Sequence, residues 1–231
     1  MCGRYSQTSD VSALVAEFGL APCGLEVEPS FNFAPGQVGP VAVATEEDIP
    51  ELRLMRWGLV PAWAKEERIG YRMINARAET VRVKPAFRKL FKTRRCLVLA
   101  DGFYEWSRTG KGGPKIPHRF TVRGGAPFAM AGLWDGWLGN GDKILETFTI
   151  LTTAANDLVG RIHDRMPVIL SAGDRSAWID ENSSPEQLQA LLKPHDPREM
   201  ESRQVSAGLN RPGSRDEASA LPQRDTPGLF D

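Results

Sequence analysis

Cys2 has the most distinctive chemistry in this sequence. Initiator methionine is normally removed when the next side chain is small, and loss of Met1 would leave Cys2 with a free α-amine beside its thiol. An α-amine titrates near about 8 and a thiol near about 8.5, so both have a usable unprotonated fraction at neutral pH. Such an aminothiol condenses with an aldehyde to an imine and closes to a five-membered thiazolidine. Position alone favours a frayed, inert terminus instead.

Two further residues could move protons. Glu105 lies between two aromatic residues, and partial burial there would raise its pKa and suit it to proton transfer. The alternative is a glutamate that pairs with one of the many nearby arginines. His163 precedes Asp164 and Arg165 in a predicted loop, where it could act as acid or base. A hydrogen-bonded structural histidine is the alternative at that position.

The charge of the chain is distributed unevenly, although its formal net charge is zero. Residues 52–123 hold eighteen basic and five acidic side chains, whereas the segments on either side are acidic. A basic region between acidic ones predicts a surface that binds a polyanion such as a nucleic acid. A solvated surface that happens to be rich in Lys and Arg is the alternative, and composition does not decide between the two.

Length and composition are those of an ordinary globular protein. The 231 residues are 41% apolar and 25% charged, enough for one large domain or two small ones. No apolar run is long enough to span a membrane and no signal-peptide pattern is present, so we expect a cytoplasmic protein. Cys2, Cys23 and Cys96 form no Cys-x-x-Cys pair and are odd in number, which argues against a disulfide framework or a zinc site.

A short amphipathic helix is predicted just behind the N-terminus. Apolar residues at helical spacing run from Val11 to Phe18, after the candidate caps Thr8, Ser9 and Asp10 and before Gly19, which can end the helix. Once packed, this helix would hold Cys2 near the body of the protein. The pattern therefore weakens the interpretation of a frayed terminus.

Polar residues also alternate along a predicted strand. Asn75, Arg77 and Glu79 fall on one face of an extended segment. A solvent-facing strand edge is the alternative interpretation. Trp57 is expected in the core, whereas Trp63 follows a proline and precedes a charged run, so it could be an exposed surface on which a base stacks.

The remaining elements are predicted to be mostly short strands. A basic helix is expected from Pro85 to Lys92, and a helix with a capping box from Ser184 onward. The segment Asp101–Trp106 is expected to terminate the strand before it. The predicted strands are Pro40–Thr45, Leu52–Trp57, Cys96–Ala100, His118–Arg123, Pro127–Leu133 and Leu145–Thr152.

Six segments, in this order, resemble the SRAP family, the SOS response-associated peptidase proteins understood as abasic-site processing proteins. The resemblance covers roughly residues 1–210, and six weak matches in register make a strong signal. The tail, residues 211–231, diverges and is rich in Pro, Gly, Ser and charge, so we expect it to be disordered. The matching segments are Met1–Arg4, Asn32–Gly36, Arg56–Pro61, Asn75–Glu79, Ala100–Trp106 and Ile162–Pro167.

The resemblance implies a fold and an activity. The fold would be a single α+β domain, built on a twisted, partly closed, barrel-like antiparallel β-sheet with peripheral helices. Cys2, exposed by loss of Met1, would crosslink to the ring-opened aldehyde of an abasic site in single-stranded DNA. The thiazolidine product would protect the lesion during the DNA damage response.

The resemblance also implies which residues surround the nucleophile. Asn75, Glu105 and His163 would lie around Cys2. Glu105 and His163 could supply the proton transfers that open the closed sugar and release water from imine formation. Asn75 could hydrogen-bond the sugar oxygen or the backbone of Cys2. The family also gives Glu105 a role in releasing Met1 or a longer N-terminal peptide.

Five further residues match family positions that bind DNA. Arg4, Arg77 and Arg165 would hold the DNA backbone, because a guanidinium forks onto phosphate well. Asn32 and Trp63 would line the same cleft, and Trp63 could stack on a base or wedge the strand where it bends. The expected partner is single-stranded DNA that contains an abasic site. We expect a monomer without cofactor, metal or membrane attachment, associated with the nucleoid during DNA damage.

Two other functions remain open at this point. A cysteine peptidase acting on other polypeptides would use His163 as the base for a Cys2 thiolate. A non-catalytic single-strand-binding module would use the basic surface and Trp63 without any covalent product. The second alternative gives no reason for Cys2 to precede Gly3 and Arg4.

Overall fold

Strands dominate the structure, a computed structural model that describes residues 2–47, 49–108, 110, 113–139 and 142–210. The predicted tail, residues 211–231, lies outside these ranges. The predicted fold class is confirmed: a single α+β domain with a barrel-like sheet and peripheral helices. No helix among the described residues is long and apolar enough to cross a membrane.

The described residues form thirteen strands and four α-helices. The helices are α1 (Val11–Phe18), α2 (Leu90–Thr93), α3 (Arg175–Ile179) and α4 (Pro185–Leu191). The strands are β1 (Tyr5–Gln7), β2 (Ser30–Phe33), β3 (Val38–Val43), β4 (Glu51–Trp57), β5 (Asn75–Arg77), β6 (Arg95–Ala100), β7 (Gly102–Arg108), β8 (Lys115–Val122), β9 (Phe128–Trp137), β10 (Leu145–Ala154), β11 (Arg165–Pro167), β12 (Ile169–Leu170) and β13 (Met200–Gln204).

Five strands close into a ring. β10 pairs with β4, β4 with β3, β3 with β6, β6 with β9, and β9 again with β10. The pair of β10 with β4 is parallel, and the other four are antiparallel. β5 and β11 also pair with β10, one parallel and one antiparallel. β10 therefore brings together two segments that carry predicted site residues, Asn75 on β5 and His163 just before β11.

A second, antiparallel sheet has the strand order β13-β8-β7-β1-β2. β1 begins at Tyr5, three positions after Cys2, and lies between β2 and β7, with Tyr5 opposite Phe103. Because β7 also carries Glu105, this pairing brings the N-terminus alongside that carboxyl group.

A buried carboxylate fixes β1 in place. Asp101 accepts hydrogen bonds from Ser6 Oγ at 2.6 Å, Thr8 Oγ1 at 2.6 Å and Arg119 Nη2 at 2.9 Å. A buried charge is tolerated only with such partners. The next residue must be Gly102, because a Cβ there would lie 2.6 Å from Arg119 Nε.

The capping signals in the sequence are confirmed. The Asp10 carboxylate accepts a hydrogen bond from the Ala13 amide at 2.7 Å, and Gly19 ends α1 in the left-handed region at φ 61°. Ser184 and Gln187 form the predicted capping box of α4. These contacts satisfy the free amides of the first helical turn.

Two local predictions were wrong. β5 ends at Arg77, because the chain turns there and the Thr80 amide bonds the Arg77 carbonyl at 3.1 Å; Glu79 is therefore outside the strand. The basic segment from Pro85 forms turns and becomes helical only in α2. The prediction that β6 ends at Asp101 is confirmed, and residues 102–108 then form β7, in which Glu105 lies opposite His118 of β8.

Side chains of the ring alternate between two cores, as the two-residue period of a strand requires. On β6, Leu97 and Leu99 pack in the cluster that includes the helices α1, α3 and α4. Cys96 and Val98 point to the other face and pack in the cluster that includes Cys2. The N-terminal cysteine is thus part of a hydrophobic core rather than a frayed end.

Candidate active site and DNA-binding surface

Cys2 is tied to both sheets. It leads into β1 of the antiparallel sheet, and its carbonyl accepts a hydrogen bond from Nδ2 of Asn75 at 2.8 Å. Asn75 is held in turn by pairing of β5 with β10, where it lies opposite Ile150. The Asn75 Oδ1 atom is buried and has no hydrogen-bond partner among the described residues. It is an acceptor available to a group that enters beside Cys2.

The thiol of Cys2 has no exposed surface. Burial raises its pKa well above the ordinary value, and the negative charge of Glu105 adds to this shift. The Sγ atom lies 3.8 Å from the carbonyl oxygen of Arg4. A thiol in this environment stays protonated at neutral pH, so its sulfur is a weaker nucleophile than a free thiolate.

Glu105 has the raised pKa that its aromatic neighbours predict. Its side chain is buried, and burial raises the pKa to about 7, with a further contribution from the charge of Asp164. A carboxyl group with this pKa exists in both protonation states near neutral pH. It can therefore donate and accept a proton within one reaction cycle.

His163 completes the cluster. Its Nε2 atom lies 4.0 Å from Oε2 of Glu105. The Arg165 amide donates a hydrogen bond to its Nδ1 at 3.0 Å, and Asp164 Oδ1 lies 3.1 Å from the same nitrogen. Burial lowers the pKa of His163. We take the Arg165 amide as the decisive contact, because the Asp164 carboxylate is 87% exposed and can turn away into solvent.

The structure thus brings Cys2, Asn75, Glu105 and His163 into one cluster. The catalytic roles of these residues stay predictions. Chemically, the cluster offers a buried thiol, a neutral amide that holds the backbone, a carboxyl group with a pKa of about 7 and a histidine whose pKa is lowered.

Arg4 and Asn32 form a pair beside this cluster. Arg4 Nη1 donates to Asn32 Oδ1 at 2.6 Å and to the Leu209 carbonyl at 3.2 Å. Asn32 is only 2% exposed and also donates to the Leu209 carbonyl, at 3.3 Å. Asn32 therefore supports the half-buried guanidinium of Arg4 and has little surface of its own.

The two other predicted arginines differ from each other. The Arg77 side chain is exposed and forms no hydrogen bond or ion pair with another described residue, although its charge helps to lower the pKa of Glu79. Arg165 forms a bidentate ion pair with Glu79, at 2.6 and 2.9 Å, and donates to the Thr152 carbonyl at 2.6 Å. Arg77 is thus available to a phosphate, whereas Arg165 is already held by a carboxylate.

Trp63 is exposed on a loop that is held in place. Its side chain is 63% exposed, in contrast to Trp57 at 1%. The Ala62 amide donates to Asp135 Oδ2 at 2.8 Å, and Trp137 Nε1 donates to the Ala64 carbonyl at 2.7 Å. The indole is therefore presented to solvent by a backbone anchored on both sides.

A run of exposed basic side chains follows Asn75 along the chain. It covers the segment between β5 and β6, and one member, Arg82, pairs with the exposed Glu186. The run gives the structure a positively charged surface continuous in sequence with the cluster. Its members are Arg77, Arg82, Lys84, Arg88, Lys89, Lys92 and Arg94.

Sequence patterns did not indicate two of these contacts. The Leu209 carbonyl is a backbone atom, which no side-chain pattern marks. Asp101 lies in the matching segment Ala100–Trp106, but its buried hydrogen bonds with Ser6 and Thr8 were not predicted. An acidic residue directly after an apolar strand was the available signal.

An open groove of about 1290 Å³ involves none of the predicted site residues. Its lining includes Glu17, Phe18, Arg53 and Arg175. Arg175 is already paired with Glu17 at 3.0 Å and stacks on Phe18. The titratable cluster around Cys2 lies outside this groove.

The sequence model of the family described as "SOS response associated peptidase (SRAP)" matches residues 1–212, and the chain belongs to this family. Curated relatives bear the name abasic site processing protein. YoaM of Bacillus subtilis is 44% identical over 216 residues, which cover 92% of this chain and 94% of YoaM. HMCES of Gallus gallus is 37% identical over 184 residues, which cover 66% of this chain and 54% of HMCES.

Solved structures share the fold. A crystal structure of a protein from Bacteroides thetaiotaomicron has a TM-score of 0.88 at 27% identity, covering 96% of this chain and 100% of that chain. A second, from Bordetella bronchiseptica, has a TM-score of 0.75 at 26% identity, covering 89% and 100% respectively.

Proposed function

We propose that this protein acts on abasic sites in single-stranded DNA. After loss of Met1, the amine and thiol of Cys2 trap the aldehyde of the lesion as a thiazolidine, and the crosslink protects the damaged strand. The observation that carries the proposal is the clustering of Cys2 with Asn75, Glu105 and His163. Membership of the SRAP family and the names of the curated relatives support it.

The first step is opening of the sugar. The closed hemiacetal must lose the proton of its hydroxyl group while its ring oxygen gains one, and only then does an aldehyde exist. Glu105, with a pKa of about 7, and His163, 4.0 Å from it, are suited to these two transfers.

The amine of Cys2 reacts next. It adds to the aldehyde carbon, and the resulting carbinolamine accepts a proton from Glu105 and releases water to give an iminium. The sulfur then bonds to the same carbon while the thiol proton passes to the Glu105 carboxylate. One water leaves overall, and no oxidant or reductant is needed. A neutral thiol suits this order, because the electrophilic iminium forms before sulfur attacks.

The remaining residues bind and orient. Asn75 fixes the backbone of Cys2 through its carbonyl. Arg4 and Arg77 contact phosphates, Arg165 contributes through the turn that carries His163, and Trp63 stacks on or wedges between bases. Glu105 also promotes hydrolysis of the bond after Met1, in which water adds across that peptide bond.

The test uses the full chain and an end-labelled single-stranded oligonucleotide with one abasic site. Wild type should give a shifted band on a denaturing gel, and mass spectrometry should place the adduct on Cys2 with loss of one water. Cys23→Ala, which removes an exposed thiol outside the cluster, is the matched control and should react like wild type. DNA whose abasic site has been reduced with borohydride has no aldehyde and should not react.

Other outcomes would select the alternatives. An undiminished band from Cys2→Ala would refute the mechanism. Salt-dependent DNA binding without any covalent product from wild type would favour a binding module. Cleavage of added peptides, lost in both Cys2→Ala and His163→Ala, would favour a peptidase. The raised pKa of the buried thiol weighs against the thiolate that a peptidase requires.

A further inference from the structure

The segment Val205–Asn210, here called the C-terminal clamp, contacts the N-terminal residues directly. The Leu209 carbonyl accepts hydrogen bonds from Arg4 Nη1 at 3.2 Å and from Asn32 Nδ2 at 3.3 Å. Asn32 Oδ1 accepts from the same Arg4 nitrogen at 2.6 Å. The guanidinium is therefore held through one nitrogen by two acceptors, one of which belongs to the clamp.

The clamp is attached to the strand that carries Glu105. Leu209 has no exposed surface and packs with Tyr104 and Val205. Trp106 Nε1 donates to Asn210 Oδ1 at 2.7 Å. Tyr104 and Trp106 are the two neighbours of Glu105, so β7 supports the acid/base residue and the clamp at once.

β7 also contacts the backbone at Arg4 and next to Asn32. The Tyr104 amide donates to the Arg4 carbonyl at 3.0 Å, and its hydroxyl donates to the Phe31 carbonyl at 2.7 Å, one residue before Asn32. The clamp adds an acceptor that Arg4 and Asn32 share, because the Leu209 carbonyl accepts a hydrogen bond from each of them.

We infer that the C-terminal clamp is a specificity element that orients Arg4 toward a phosphate next to the lesion. Because Leu209 and Asn32 occupy only Nη1, the other guanidinium nitrogens remain available to phosphate oxygens. An arginine fixed in advance loses less conformational freedom when DNA binds. The clamp thus favours an aldehyde within a DNA strand over a free one. This inference rests on the proposed function.

The test compares two aldehydes with full-length variants. Asn210→Ala removes the acceptor for Trp106 and the donor to the Lys115 carbonyl, and should lower the rate of crosslinking to abasic single-stranded DNA about three- to tenfold. Its reaction with free 2-deoxyribose, which has no phosphate, should be unchanged. Asn210→Asp keeps the acceptor for Trp106 and loses only the donor to Lys115, so it should restore the DNA rate. Asn182→Ala, an exposed asparagine outside the clamp, is the matched control.

A double variant tests whether Asn210 acts on DNA crosslinking through Arg4. In an Arg4→Ala background, Asn210→Ala should cause no further loss of DNA crosslinking. Equal losses with DNA and with 2-deoxyribose, or fully additive losses with Arg4→Ala, would overturn the inference.

The proposed function can fail separately. If wild type forms no crosslink at all, affinity for intact single-stranded DNA still tests the clamp. Asn210→Ala should then weaken binding in the Arg4 protein and not in Arg4→Ala. Equal weakening in both backgrounds would refute the clamp, whatever the fate of the crosslinking reaction.

Discussion

His163 and Glu105 face each other with Nε2 of the imidazole 4.0 Å from Oε2 of the carboxyl group. Because Nδ1 accepts a hydrogen bond from the Arg165 amide, the neutral imidazole carries its proton on Nε2, on the side of Glu105. Burial raises the pKa of Glu105 to about 7 and lowers that of His163. The two shifts reverse the usual order of these pKa values, so the Glu105 carboxyl group holds a proton more firmly than the His163 imidazole does.

The raised pKa of Glu105 predicts how stability depends on pH. The pKa rises from 4.5 to about 7 on folding, so between these values the native protein keeps a proton that the unfolded chain has released. The free energy of unfolding should therefore fall as pH rises through that window. Glu105→Gln removes this effect and should be more stable than wild type at pH 8, by about 1–3 kcal/mol. Urea unfolding at pH 5 and pH 8 measures it, and an equal difference at both pH values would contradict the prediction.

Crosslinking should depend on the protonated form of Glu105. As pH rises above about 7, wild type loses the acid that expels water. The ratio of the wild-type rate to the Glu105→Gln rate should therefore decrease from pH 6 to pH 9. Single-turnover rates with abasic single-stranded DNA give this ratio. A constant ratio would mean that Glu105 does not act as the acid.

Asn75 should act through its donor group. Asn75→Ala releases the Cys2 carbonyl, and crosslinking should slow by about tenfold or more, the effect of losing one buried hydrogen bond. Asn75→Asp is nearly isosteric but an ionised carboxylate cannot donate, so it should be at least equally slow. Affinity for intact single-stranded DNA, measured by fluorescence anisotropy, should stay the same. Full activity of Asn75→Asp would rule out this role.

Replacing Arg77 should affect DNA binding, whereas replacing Arg165 should affect stability. Arg77→Ala removes an exposed, unpaired cation and should weaken DNA binding while lowering the slope of log affinity against log salt by about 1. Arg165→Ala removes the ion pair with Glu79 and one of the two donors to the Thr152 carbonyl, which keeps the Ala78 amide, and should lower stability by about 1–3 kcal/mol. Salt titrations and urea unfolding separate the two effects. The same profile for both variants would contradict their different environments.

Trp63 should contribute to binding and not to folding. Because its side chain is 63% exposed, Trp63→Ala should leave the midpoint of urea unfolding unchanged. Loss of one stacked base should weaken single-stranded DNA binding by about 1–3 kcal/mol. Trp63→Phe keeps an aromatic surface and should recover part of that affinity. A large loss of stability in Trp63→Ala would show that the indole packs on the protein.

Local signals in the sequence predicted the elements that depend on local chemistry. The Asp10 cap, the Gly19 end of α1 and the capping box of α4 need only residues a few positions apart. The raised pKa of Glu105 followed from its aromatic neighbours. The prediction of a strand through Glu79 was wrong because the alternation of polar residues continues past Arg77 in the sequence. The backbone turns at Arg77, and Glu79 pairs with Arg165, 86 positions away.

Contacts distant in sequence were not predictable. Nothing near Arg4 indicates that the Leu209 carbonyl, 205 positions later, accepts its hydrogen bond. Strand pairing decides such contacts, and closure of the ring by β9 and β10 sets which segments meet. The sequence also does not distinguish Arg77 from Arg165, since both are arginines in matching motifs. Tertiary structure leaves the Arg77 side chain exposed and pairs Arg165 with Glu79.

Complete burial of the Cys2 sulfur affects how readily the thiol is oxidised in a cell. Peroxide and glutathione disulfide attack exposed thiolates, and this sulfur is un-ionised and has no exposed surface. Under the proposed mechanism Cys2 reacts once and stays bonded to its target, so its thiol has to stay reduced until DNA binds. Packing of the N-terminus into the interior therefore protects the Cys2 thiol from oxidation.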